Sequence, residues 1–334
     1  MRRLGQNLLL ALAATLLAWS FGEFALWASG RFEPEPRTYP GEFENKSHEH
    51  FIADEDLGWR MRPGVTMHWT IAGTQASYHA DAAGFRASRP GEELPSGRRM
   101  ALVGDSFFWG FGIPWASTCG AVLQERLGDT SVLNRSQPGF GVDQIAQTLR
   151  HQVLPESPEL AVVGLFLDDF NRSFYAYREA EGYNKPTFWL EKGRLRPRER
   201  EDSPGTFLRF LEVRSRFYSL FRRADRRLGR RWGRGEWWSL NEALLERMIR
   251  DGEEAGIPLL FVHIPPREPI SFPALGHFFE ERGAAFLEPD WPKEREELYF
   301  PEDAHLNARG HDELATALEA WIIDWRRRGG DSVP

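Results

Sequence analysis

A chain of 334 residues, 41% hydrophobic and 27% charged, is long enough to bury a sizeable core and has the composition of a packed globular protein. Its net charge of −7 argues against a nucleic-acid partner, and its single cysteine, Cys119, excludes an intrachain disulfide and a cysteine-rich metal site. No residue pattern calls for a metal or organic cofactor, so none is expected.

The chain opens on a basic Met1-Arg2-Arg3 and an apolar run from Leu8 to Phe21 that softens towards Trp27. As a helix, Leu8 to Trp27 spans about 30 Å, enough for a bilayer core, although Glu23 interrupts it. The segment 1–30 is read as an uncleaved membrane anchor, with a cleaved signal peptide ending near Ala28-Ser29-Gly30 as the rival. Arginines before the span and mixed charges after it place the N-terminus in the cytoplasm and the main domain outside the membrane. Residues 31–50, with Pro34, Pro36 and Pro40, read as a tether.

Residues 51–97 read as a small β-rich lead-in, with strand candidates at Met67–Ile71 and Ala76–Ala80. The main domain, 98–330, starts with the short apolar run Met100–Val103. A helix at Thr118–Leu127, a strand at Ser131–Leu133, a helical stretch at Gln144–His151 and strands at Leu160–Leu167 and Pro258–Ile264 follow. The chain ends in a helix from about Ala308 through Trp325. Strands alternating with helices predict an α/β fold with a doubly wound, mostly parallel sheet. Arg214 to Arg234 holds nine arginines against the single Asp225, interleaved with aromatic and aliphatic residues. It reads either as a solvated helix face or as a basic amphipathic helix on anionic lipid, ending in a loop at Gly229, Gly233 and Gly235.

Gly104-Asp105-Ser106 falls where the first buried strand gives way to a loop, the edge of an open α/β sheet at which ligands bind. A serine there meets substrate while its own N–H points at a developing oxyanion. Near the other end, Glu302-Asp303-Ala304-His305 puts two carboxylates just upstream of a histidine. Serine needs a base to take its proton, and that base needs a carboxylate to orient its ring. Arg135 and Gln144 are candidates to touch substrate, and Trp109 to Gly112 read as the wall of an acyl pocket or equally as a packed turn. His311 reads as a solvated or packed helix residue, and Cys119 as a small buried one.

Taken in order, these blocks resemble the SGNH (GDSL-type) hydrolase family from roughly Met100 to Trp325. The resemblance implies a flavodoxin-like sheet, Ser106 as nucleophile and His305 as base. It also implies an oxyanion hole made by the N–H groups of Ser106 and of Gly139 in Asn134–Gly141, together with the residue at position 168. The lead-in, with Leu57-Gly58-Trp59-Arg60, Pro63-Gly64 and Gly84-Phe85-Arg86, is similar to that of membrane-anchored bacterial members. Two departures stand out. The family's aspartate three before the histidine is Glu302 here, with Asp303 one residue closer, so either carboxylate can orient His305. Where the family has an oxyanion-binding asparagine stands Asp168, which as a carboxylate cannot donate, so either its surroundings hold it protonated, or Asn171 swings in, or the hole has only two backbone donors. The expected activity is hydrolysis of acyl esters on envelope glycans or lipids. The alternatives are acyl transfer to an exported polysaccharide and a catalytically inactive binding module.

Overall fold

The computed structural model describes residues 2–30, 49–71, 74–93, 95–174, 177–178, 183–198, 215–217, 220, 234–268, 270, 272–292 and 294–330. Most of the expected tether and of the arginine-rich stretch lies outside these residues. Helix α1 (Arg2–Ser29) contains a 20-residue portion, Leu10–Ser29, with a mean hydropathy of 1.5, long and apolar enough to cross a membrane. None of that portion is buried, and Leu10, Leu16, Phe21 and Trp27 are exposed. Glu23 is nonetheless well supplied with donors. Its carboxylate accepts from Ser215 Oγ and from the backbone N–H groups of Arg216 (2.9 Å) and Phe217 (3.1 Å), and Phe217 sits edge-on to Trp19 at 5.0 Å.

The lead-in forms two antiparallel units. Strands β1 (Phe51–Asp54) and β2 (Gly58–Met61) make a hairpin, and β3 (Thr66–Ile71), β4 (Thr74–Ala80) and β5 (Arg86–Ala87) make a three-stranded sheet. Both expected strands fall inside β3 and β4. Alternation sends Met67 and Tyr78 inward, where they join Trp59 and Phe85 in the same apolar core as the main sheet.

That main sheet is built from β6 (Arg99–Val103), β7 (Ser131–Asn134), β8 (Leu160–Leu165), β13 (Leu259–His263) and β14 (Ala285–Leu287). All four pairings are parallel, in spatial order β7-β6-β8-β13-β14, which is the flavodoxin-like arrangement. The central strands are apolar apart from Arg99 at the start of β6 and His263 at the end of β13, because both faces are covered. Met100, Leu102, Val162 and Val262 pack on one side, against helices α3 (Cys119–Leu127) and α8 (Ala308–Arg327). Ala101, Val103, Val163 and Phe261 pack on the other, with Ile145 of α4 (Val142–Thr148), Leu244 of α6 (Arg234–Ala255) and Phe279 of α7 (Pro273–Arg282). The order reverses between β6 and β8, leaving a crevice at their carboxyl ends.

Several expected boundaries move. The strand expected over Leu160–Leu167 stops at Leu165. The Phe166 N–H donates to Asp169 Oδ2 at 2.8 Å, and this closes the turn into helix α5 (Leu167–Arg172). The expected helix Gln144–His151 starts earlier, at Val142, and ends in a wider turn over Leu149–Val153. Gly235, expected in a loop, lies in the first turn of α6. Strand β14 and the antiparallel pairs β9 (Tyr177–Arg178) with β10 (Tyr183–Asn184) and β11 (Thr187–Glu191) with β12 (Arg194–Arg198) have no sequence expectation behind them.

His311 is fully buried in α8, where its Nδ1 accepts the Cys119 N–H at 3.2 Å. Burial, helped by the Arg86 charge, pushes its pKa down to about 3, so it stays neutral in the fold. The unfolded chain takes up that proton below about pH 6.5. The stability His311 contributes is therefore complete above pH 6.5 and is lost as pH falls from there towards 3. Denaturation of wild type should lose about 1.4 kcal/mol per pH unit in that window beyond the loss seen in His311→Gln. Equal slopes in the two proteins would contradict this account.

Candidate active site

The site lies at the carboxyl ends of β6, β7 and β8. Gly104 ends the first of these, and Asp105 then caps the one-turn helix α2 (Ser106–Trp109) by accepting the Phe107 N–H at 3.0 Å. Ser106 is the first residue of that turn, a position whose N–H has no intrahelical acceptor. It is 4% exposed, and its Oγ lies 2.8 Å from His305 Nε2.

The structure brings His305 and Asp303 together and leaves Glu302 out. Asp303 Oδ1 makes a short contact with His305 Nδ1 and also accepts the His305 backbone N–H at 2.9 Å. One carboxylate oxygen thus serves ring and backbone at once, which a spacing of two residues in a tight loop allows. Burial raises the Asp303 pKa, but these hydrogen bonds from His305 outweigh it and hold the carboxyl below the usual range. Glu302 is exposed, and no hydrogen bond joins it to His305 among the described residues. The imidazole lies between aromatic rings, with Phe107 at 5.1 Å and Phe111 at 4.5 Å.

Gly139 adopts φ +78°, a left-handed conformation that favours glycine, and its N–H donates to no protein group among the described residues. Its loop is held from outside, because Trp59 of β2 donates from Nε1 to Pro138 O at 3.1 Å and stacks edge-on against Phe140. Asn134 fastens the same segment to α2 by donating to Phe108 O at 2.7 Å.

Asp168 sits in the first turn of α5 and is exposed. Asn171 does not replace it as a donor into the site. Its amide donates to Asp168 Oδ1 at 3.3 Å, and its carbonyl accepts from Trp237 Nε1 at 3.2 Å. The group missed by sequence reasoning is Arg172, whose Nη1 reaches Asp105 Oδ2 (2.9 Å), Asp169 Oδ1 (2.7 Å) and Phe140 O (3.1 Å). Burial opposes the Arg172 charge, but Asp169 and Asp105 outweigh it and raise its pKa. Burial, then the charge of Asp105, pushes Asp169 well above the ordinary carboxylate range.

Two expected substrate contacts prove structural. Arg135 is buried against Asp81 (2.6 Å) and Glu156 (2.7 Å), and Gln144 accepts the Gly141 N–H and donates to Leu57 O. Cys119 is fully buried and burial pushes its thiol up to about 12, so it offers no thiolate near neutral pH. Among the described residues no cluster of three or more His, Cys, Asp or Glu side chains is arranged to hold a metal ion.

No protein-family profile matches the chain, and neither does any curated protein. Solved structures with a similar fold include a GDSL-like lipase from Bacteroides thetaiotaomicron, 12% identical over 68% of this chain and 88% of its own, with a TM-score of 0.40. The psychrotrophic esterase EstA from Pseudoalteromonas is 11% identical over 68% of this chain and 99% of its own, with a TM-score of 0.41. A variant of an acetyl-xylooligosaccharide esterase from Geobacillus is 13% identical over 68% and 94%, again with a TM-score of 0.41. These are likenesses of fold alone, and the chemistry of the site is carried by the side chains above.

If Asp303 orients the base, Asp303→Asn should lower kcat/KM for an activated ester by about 10³–10⁴-fold. Glu302→Gln should stay within about twofold of wild type, as an exposed substitution does. The reverse ranking would assign the role to Glu302.

Proposed function

We propose that the chain is a serine hydrolase of acyl esters, held at a membrane by α1. The observation that carries this reading is the hydrogen-bonded series Ser106 Oγ, His305 Nε2, His305 Nδ1 and Asp303 Oδ1 at the carboxyl edge of a parallel sheet. In it, His305 Nε2 takes the proton of Ser106 as Oγ attacks the ester carbonyl, and Asp303 holds Nδ1–H and stabilises the imidazolium. The tetrahedral oxyanion takes the N–H groups of Ser106 and Gly139. His305 then hands its proton to the leaving alkoxide, and an alcohol departs. Water, deprotonated by the same nitrogen, attacks the acyl-enzyme and releases the carboxylic acid.

Asp168 gives this reading its particular character. A carboxylate offers no donor to an oxyanion, so the hole has two backbone donors, and losing a third typically costs about 10²–10³ in turnover. The enzyme is accordingly slow on generic esters. The substrates it fits are acyl esters of envelope glycans or lipids, reached by a domain outside the membrane while the N-terminus stays in the cytoplasm. The exposed apolar surface of α1 and the arginines at its start support that placement.

Hydrolysis of p-nitrophenyl esters by the full chain in detergent tests the reading. Ser106→Ala should lose at least about 10³-fold in turnover, and Asp168→Asn should gain up to about 10²-fold. Turnover unchanged in Ser106→Ala would refute the assignment. Turnover that appears only with an added acceptor sugar would identify the acyltransferase alternative.

A further inference from the structure

Gly84-Phe85-Arg86 stands apart in the sequence, and the reaction above gives it no part. In the fold Arg86 is 1% exposed, its guanidinium deep between the lead-in and the nucleophile's helix. Nη1 donates to Trp109 O at 2.5 Å and to Gly110 O, and Nη2 donates to Ile113 O at 2.6 Å. The cation lies over the Tyr78 ring at 4.4 Å and near the Trp109 ring at 5.1 Å, and these two rings stack at 4.5 Å, 7° from parallel. Burying an arginine is expensive, and an apolar side chain would fill the space at less cost. What an apolar side chain lacks is a planar fork able to hold three carbonyls in fixed positions.

Those carbonyls belong to the end of α2 and the loop after it. One turn of helix cannot stand alone, since its nucleus fixes several residues for a single internal bond. Ser106 O accepts from both Gly110 N and Phe111 N at 3.0 Å, so the loop is tied to the nucleophile's own peptide. Gly110 has φ +81°, and a Cβ there would lie 2.8 Å from Arg86 Nη1, so loop and arginine fit only with glycine between them. Two further lead-in residues grip the same loop. Tyr78 Oη accepts the Gly112 N–H at 2.8 Å, and Trp69 sits edge-on to Phe111 at 4.9 Å. On its other side Phe111 covers His305.

We propose that Arg86, with Tyr78 and Trp69, is a positioning group. It fixes the Trp109–Ile113 loop so that Phe111 holds the His305 imidazole in line with Ser106, which makes the β-rich lead-in part of the active site. This rests on the reading of Ser106 and His305 as nucleophile and base. It adds that the reactivity of Ser106 is set from a segment 20 residues upstream of it, as Arg86 is numbered. A misplacement of the base by about 1 Å can cost about 10²-fold in rate.

The test is the rate at which a fluorophosphonate probe labels Ser106 in the full chain in detergent, for Arg86→Lys, Phe111→Ala and the double variant. Far-ultraviolet circular dichroism and thermal melting check folding, and Ser106→Ala serves as the blank. Each single change should slow labelling by about 10- to 100-fold. The double variant should be no slower than the worse single one, because both act through one contact with His305. A purely structural role would leave the labelling rate of folded protein unchanged, or would give losses that multiply, and either result overturns the inference while the hydrolase reading stands. If Arg86→Lys does not fold, Tyr78→Phe, which removes only the acceptor for Gly112, takes its place in the cycle. Wild type that labels no faster than Ser106→Ala would remove the hydrolase reading and the inference with it.

Discussion

One guanidinium holds the three strand ends of this site together. Asp105 follows β6, Phe140 lies in the loop after β7 and Asp169 opens the helix after β8, and Arg172 Nη1 contacts all three. Without the cation, two buried carboxylates would face each other, and breaking such a cluster by removing one partner typically costs about 3–5 kcal/mol. With it, the loop that carries Ser106 is fixed against the loop that carries Gly139. Strand ends alone do not set that separation, because the loops after them are free to differ in length and path. The same cluster leaves Asp168, one residue before Asp169, on the exposed side of its turn.

The parts of the fold visible in the sequence are those whose signal is local. Strands β6, β8 and β13 are short apolar runs because both faces of the sheet are covered, and their boundaries fall within two residues of expectation. Strand β14 has three residues, too few to show a period; β9, β10 and β12 are short or polar enough to pass for loop, whereas β11 carries Phe188, Trp189 and Leu190, a signal present in the sequence. Ser106 and His305 are legible because they sit in compact motifs. The choice between Glu302 and Asp303 is not, since it depends on which carboxylate the turn directs at the ring. Arg172 escapes notice for a different reason: its partner Asp105 is 67 residues away, and nothing nearby distinguishes it from a surface arginine. Arg135 and Gln144 mislead in the opposite direction. Polar residues beside a glycine-rich loop look available to substrate, yet both are used up holding that loop.

At the N-terminus, Glu23 shows how a polar residue is accommodated in an apolar helix. The hydrogen bonds from Ser215, Arg216 and Phe217 supply its carboxylate with donors from a distant segment. The contact also ties α1 to Ser215, Arg216 and Phe217, the described residues near the start of the arginine-rich stretch. A carboxylate that weakens the span as a sequence signal is thus, in the fold, a point at which α1 contacts a distant segment of the chain.

The central claim is that His305 activates Ser106, and covalent capture tests it most directly. Intact-mass and peptide-mapping analysis of wild type and His305→Ala after treatment with a fluorophosphonate reads the outcome on a single atom. The account predicts one adduct, on Ser106, in wild type and its near-complete loss in His305→Ala. An adduct formed equally fast without the histidine, or one carried by another residue, would contradict it.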